Sequence, residues 1–234
     1  MRHATSCLVV LLLISCPSLW GSAQEEDPSR VLFFCDPSHV QSEYCSDEYW
    51  VWAHSVYETL GAELVHVSTL PEDLTDFDLV FITVLSHQLT PDEVLTLFNY
   101  LRWGRRLVLH GENLEFFTNT NDHLNTLLAF LDVSARFAQM ALDMGCPFTT
   151  EAILPHRLTT GVEAFDYGYA TSVVGGTPLI EREGGQVLVA VDTPGRKGPP
   201  NGEVILIGDM NWVIEGCPRE NNEQLLRNLI DYDL

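Results

Sequence analysis

Two short segments hold side chains able to do acid–base or ligand chemistry. The first is His110-Gly111-Glu112-Asn113, directly after an apolar run. A strand entering a glycine turn is where a nucleophile elbow presents Ser or Cys above a sheet. Neither residue is present here, so a covalent route has no nucleophile. Glu112 remains as a general base on water, with His110 beside it. The second is Asp209-Met210-Asn211-Trp212. Carboxylate and amide oxygens two residues apart suit a hard cation or a hydroxylated ligand, and the same pattern makes an Asx turn with no ligand. Trp212 offers a ring for stacking on a sugar or peptide, or a cap for the core.

Other polar residues belong with these two segments only if strand ends bring them there. Asp36 and His39 follow one apolar run, and Ser86, His87 and Gln88 follow another. The histidines are scattered, without an HxH or HExxH pattern, and the cysteines lack a CxxC pair, so no metal is expected. A cluster of His39, His87 and His110 would need three strand ends to meet. Glycine-rich phosphate loops are absent, and no cofactor is expected.

The elements that must position these residues are legible as apolar runs and helix signals. Val31–Cys35 reads as a strand buried on both faces. Ser46 then caps a helix with an expected buried stripe of Tyr49, Trp52, Ala53, Val56 and Leu60, ended by Gly61. A short strand spans Ala62–Val67. Next come a strand at Asp78–Val84, a capping box at Thr90–Glu93 with Pro91 at the first helical position, and a strand at Arg106–His110. That unit is a right-handed parallel crossover. Asn121 or Asp122 caps a third helix carrying Leu124, Leu127, Leu128 and Leu131. Short strand-like runs then fall at 151–154, 169–174, 178–180 and 186–191, followed by the exposed loop 192–202. Glu203–Gly208 is a further buried strand, and a closing helix runs from Asn222. The chain is therefore expected to form an α/β domain with a largely parallel sheet and a β-rich second half. Ligands of such sheets sit beyond the carboxyl ends of the strands, so Asp36, His39, His87, His110, Glu112, Asn113, Asp209, Asn211 and Trp212 are the candidate cleft.

Composition narrows the setting. The 234 residues include 33 acidic and 12 basic ones, for a formal net charge of -21, with 46% hydrophobic residues. That much apolar material supports a folded core, and the charge repels nucleic acid and anionic bilayers. Residues 1–23 read as a secretory signal: Arg2, the apolar run Leu8–Ile14, and a small-residue site at Gly21-Ser22-Ala23. Leu13–Cys16 alternatively resembles a lipobox, which would lipidate Cys16. Residues 24–30 form a polar lead-in, 31–234 a single domain, and no segment is long enough for a transmembrane helix. The expected location is outside the cytoplasm, periplasmic or extracellular. Four further cysteines then favour disulfides, Cys35–Cys45 and Cys146–Cys217 among three possible pairings.

The pattern resembles the class I glutamine amidotransferase-like superfamily, in its non-catalytic secreted branches. The residues that carry the resemblance are Asp78–Val84, Leu89–Glu93 with Tyr100-Leu101 before Gly104, and the strand into His110–Asn113. Asn125 with Leu127-Leu128, Val204–Asn211, Asn222 and Leu229 add to it. The resemblance implies a flavodoxin-like three-layer sandwich. Catalytic members carry a cysteine at the elbow, matched here by the Gly111-Glu112 turn, and a histidine–glutamate pair near the C-terminus. No histidine follows His156, so the resemblance implies no glutaminase activity. It points instead to a binding or scaffold domain for a glycan, a peptide or an envelope protein. The competing expectation is a hydrolase using Glu112 or Asp209 with water, with or without a metal.

Overall fold

The computed structural model describes residues 28–36, 45–83, 85–113, 119–195, 202–213 and 220–231. Residues 1–23, read above as a secretory signal with Cys16 among them, lie outside these, as do His39 and Cys217. Five parallel strands make the centre of the sheet: β1 (Arg30–Cys35), β2 (Glu63–Val67), β3 (Leu79–Thr83), β4 (Arg106–His110) and β11 (Glu203–Ile207). Their order is β2-β1-β3-β4-β11, all paired in parallel register. This is the doubly wound flavodoxin-like order, in which the chain reverses direction between β1 and β3. The central strands read as continuous apolar runs because both faces are covered. Val31, Phe33, Phe81, Val108 and Ile205 face α1 (Val51–Thr59) and α4 (Glu223–Ile230). Leu32, Phe34, Val80, Leu109 and Leu206 face α2 (Pro91–Arg102) and α3 (Thr120–Phe130). The fold is thus a three-layer α/β sandwich.

The second half continues the same sheet. β10 (Val187–Asp192) runs antiparallel to β11 and pairs with both β9 (Thr177–Glu181) and β8 (Val173–Val174). β8 in turn pairs with β5 (Arg136–Phe137). The carboxylate of Asp192, at the end of β10, accepts from the amides of Ser134 and Ala135 at 2.9 Å each, tying the β5 segment to it. A separate hairpin joins β6 (Phe148–Thr150) to β7 (Phe165–Tyr167). The run 151–154, expected as a strand, makes only an isolated bridge from Ile153 to Ile180.

Two helix expectations need correcting. Residues 47–49 form a 3-10 turn, and Ser46 makes no side-chain cap bond. The tighter turn shifts the helical phase, so the buried stripe of α1 is Trp50, Ala53, Val56 and Tyr57, while Leu60 is exposed. α3 begins at Thr120 after Asn119, because the Asn121 side chain is spent on the elbow described below. The capping box of α2 forms as expected: Thr90 Oγ1 accepts from the Glu93 amide, and Glu93 accepts from the Thr90 amide at 2.7 Å. Among the described residues no helix is long and apolar enough to cross a membrane.

Candidate functional site

The carboxyl ends of the parallel strands hold two separate polar groups. The first sits where the strand order reverses. Asp36, following β1, is buried, and its Oδ2 accepts from the Ser86 amide at 3.1 Å and lies 2.8 Å from His87 Nδ1. The Ser86 hydroxyl also donates to that carboxylate. Serine, histidine and aspartate meet here, but the wiring is not that of a catalytic triad. A triad needs the hydroxyl on one imidazole nitrogen and the carboxylate on the other. Ser86 instead gives its proton to Asp36, and its Oγ lies 3.3 Å from the same Nδ1 that faces the carboxylate. The Asp36 carboxylate thus anchors the β3 loop to the end of β1, and His87 reaches outward from it, mostly exposed.

The second group is the elbow after β4. Gly111 is required for a packing reason: a Cβ there would run into the ring of Phe137. Glu112 and Asn113 are fully buried, as are His110, Asp209 and Trp212. Every amide of the turn is already bonded. Gly111 N–H donates to the Ile207 carbonyl at 2.8 Å, and Glu112 N–H to Asn121 Oδ1 at 3.0 Å. Asn113 N–H donates back to Glu112 Oε2 at 3.0 Å. The other carboxylate oxygen of Glu112 accepts from Met210 N–H at 3.3 Å, so this one side chain joins the ends of β4 and β11. In a catalytic elbow the amide after the nucleophile faces the oxyanion. Here it faces the Glu112 carboxylate.

Asp209 is held the same way. Its Oδ2 accepts from Gly168 N–H at 2.8 Å, and its Oδ1 from Asn211 N–H at 2.6 Å and Asn211 Nδ2 at 3.0 Å. The Asp209–Asn211 pair is therefore an Asx turn, clamped further by Asn211 Nδ2 on the Gly168 carbonyl at 3.0 Å. Burial pushes the Glu112 carboxyl well above its ordinary range, and the neighbouring Asp209 carboxylate pushes it further. Burial also raises Asp209 despite its three donors. His110 stacks on Trp50 and accepts a hydrogen bond at Nε2 from Trp212 Nε1 at 3.1 Å. Burial pushes it down to about 3, so its imidazole is neutral. The Trp212 ring belongs to the core around Phe165 and His110.

Elbow and β11 residues therefore converge, but as a sealed hydrogen-bonded plug. Asp36 and His87 form their own group at the reversal point. The sequence places Asn121 and Asn222 at helix starts but does not show that they do much of the positioning. Asn121 spans Glu112 N–H and C=O, at 3.0 and 2.7 Å. Asn222 spans both backbone groups of Asp166 and the Trp212 carbonyl, each at 2.8 Å. Both stand next to helix starts, where asparagine reads as a cap and its tertiary partners are invisible. The disulfide Cys35–Cys45 forms, tying Cys45 to the end of β1 next to Asp36. Cys146 is disulfide-bonded as well; the pairing expected for it, with Cys217, lies outside the described residues. A further histidine pair, His54 and His66, stacks at 5.0 Å, although the two are far from the elbow segments in sequence.

No family model matches the chain, and no curated protein matches it in sequence. Solved structures do match its fold. The mmIFT52 N-terminal domain aligns with 87% of this chain and 99% of its own, at 14% identity and a TM-score of 0.64. The cytoplasmic protein STM1381 from Salmonella typhimurium LT2 aligns with 87% of this chain and 94% of its own, at 14% identity and a TM-score of 0.55. A β-galactosidase from Rahnella sp. R3 contains a similar unit: 86% of this chain matches 30% of that one, at 12% identity and a TM-score of 0.55. These matches show a shared α/β fold with a largely parallel sheet and antiparallel later strands, in keeping with the fold the resemblance implied. At these identities the likeness is one of fold, and activity has to be argued from the site.

Proposed function

We propose that this chain is a non-enzymatic binding or scaffold domain that works outside the cytoplasm. The observation that carries this reading is the elbow itself. Its three amides are all bonded internally, its buried carboxylate accepts from the Asn113 and Met210 amides just after β4 and β11, and no serine or cysteine stands in the turn. A water-activating hydrolase would need Glu112 or Asp209 to face a substrate, whereas each accepts backbone hydrogen bonds and is sealed from solvent. Export is supported by the signal-like residues 1–23 and by a disulfide at Cys35–Cys45, since such bonds persist in oxidising compartments. The partner classes in keeping with an acidic exported domain are a glycan, a peptide or an envelope protein.

The test is turnover. Purified protein is incubated with glutamine and with chromogenic ester, anilide and glycoside substrates, beside the Glu112→Gln variant. The expected result is no hydrolysis above buffer for either protein. Hydrolysis by the wild type that disappears in Glu112→Gln overturns the proposal and establishes the water-activating reading.

A further inference from the structure

Away from the elbow, on the edge-strand side of the sheet, three potential ligands meet. Asp47 lies in the 3-10 turn that follows the disulfide-bonded Cys45, His54 lies in α1, and His66 lies in the edge strand β2. One ligand atom from each falls within 4.8 Å of the other two. The two imidazoles stack nearly parallel, with centroids 5.0 Å apart and an interplanar angle of 14°. Phe33 lies against the other side of His66 at 5.5 Å, and Trp50 meets it edge-on at 5.8 Å.

This arrangement leaves specific atoms without a role in the fold. Nε2 of His54 and Nε2 of His66 are both buried and have no hydrogen-bond partner. Such atoms are rare, because a buried polar group without a partner loses its hydration with nothing in return. The Asp47 carboxylate lies 3.4 Å from His66 Nδ1. Two imidazoles and one carboxylate are a donor set for zinc-like ions. Calcium and magnesium prefer more oxygens than one carboxylate provides.

We propose that Asp47, His54 and His66 bind a first-row divalent cation of the zinc type, with water completing a four-coordinate shell. Asp47 is exposed, so its side chain supplies the adjustment that draws the donors in to bonding distance. The bound ion joins the turn after Cys45, the first half of α1 and the edge strand β2, three elements otherwise linked there by aromatic packing. The site is independent of the elbow and of the non-enzymatic reading.

The experiment uses the purified exported chain, stripped with chelator and titrated with Co2+, whose tetrahedral complexes absorb strongly in the visible range, and then with Zn2+ as competitor. One equivalent of Co2+ is expected to bind and to be displaced by Zn2+. His54→Gln and His66→Gln are expected to weaken binding by about 100-fold or more, and Asp47→Asn by about 10-fold. His123→Gln, on α3, is expected to leave it unchanged. Circular dichroism reports whether each variant is folded. In the wild type, imidazole nitrogen NMR must show Zn2+ shifting the resonances of two histidines, absent from any His54 or His66 variant that folds. No saturable binding up to about 1 mM Co2+ or Zn2+, equal binding by the folded variants, or shifts confined to other histidines would each overturn the proposal.

Discussion

Glu112 shows what a single side chain does at an elbow without a nucleophile. Both carboxylate oxygens accept backbone donors, Asn113 N–H from the next residue and Met210 N–H from 98 residues along the chain. Replacing it by glutamine puts an NH2 group against one of these donors, and replacing it by alanine orphans both. Glu112→Gln is therefore expected to lower the unfolding free energy by about 1–3 kcal/mol, the cost of an unpaired buried group, and Glu112→Ala by more. Urea unfolding of the two variants measures this. A Glu112→Gln protein as stable as the wild type would show that these hydrogen bonds do not hold the elbow. The residue type was plain in the sequence, as was its place after a strand. Its partners were not, because Met210 comes from a different strand and Asn121 from the next helix.

At the level of elements, the parallel core was legible and the second half was less so. β1, β3, β4 and β11 are apolar on both faces and bounded by turn residues, which period alone reveals. β5, β6 and β7 are only two or three residues long. Runs that short carry no period, and their pairing is decided by neighbours such as Asp192 and Asn222. Trp50 was left out of the expected stripe for a related reason: the 3-10 turn before α1 changes the phase by which its stripe is counted. The junction of β11 with the antiparallel strands depends on close backbone approach at Gly208. A Cβ at that position would collide with the Thr171 carbonyl, and Gly208 O accepts from Thr171 N–H at 2.6 Å. Gly208→Ala is expected to destabilise the domain by about 1–3 kcal/mol through this overpacking, with a lowered melting temperature by calorimetry. An unchanged melting temperature would mean that the 171–173 segment yields easily.

For the whole molecule, two buried groups of opposite chemistry set the pH profile. His110 and His66 are pushed down by burial, to about 3 and about 4. The unfolded chain binds protons to them below about 6.5 while the native one does not, so this contribution is complete above that pH and is lost as pH falls. Glu112 and Asp209 are pushed up, Asp209 to about 7. Their native forms hold protons that the unfolded chain releases above about 4, so their contribution is present in acid and is lost as pH rises toward 7. Between pH 5 and 6.5 the two effects oppose one another, and the wild type is expected to show little net change. A Glu112→Gln/Asp209→Asn double variant is expected to gain stability as pH rises across this window, with a slope of up to about 1.4 kcal/mol per pH unit for each shifted histidine. Denaturant titrations at several pH values check the sign. A double variant that loses stability over the same interval would place the burial costs elsewhere.

Residue order alone was enough to determine the alternation of apolar strands and amphipathic helices, the parallel core and the missing nucleophile. All of these depend on local period or on the presence of a residue type, and both survive in a one-dimensional string. Only the tertiary structure decided that Glu112 and Asp209 would be spent on backbone amides, that the wiring of Ser86, His87 and Asp36 would not make a relay, and that His54 would face His66. Those outcomes depend on which strand ends become neighbours in the sheet, and on which buried polar atoms find partners once water has been excluded.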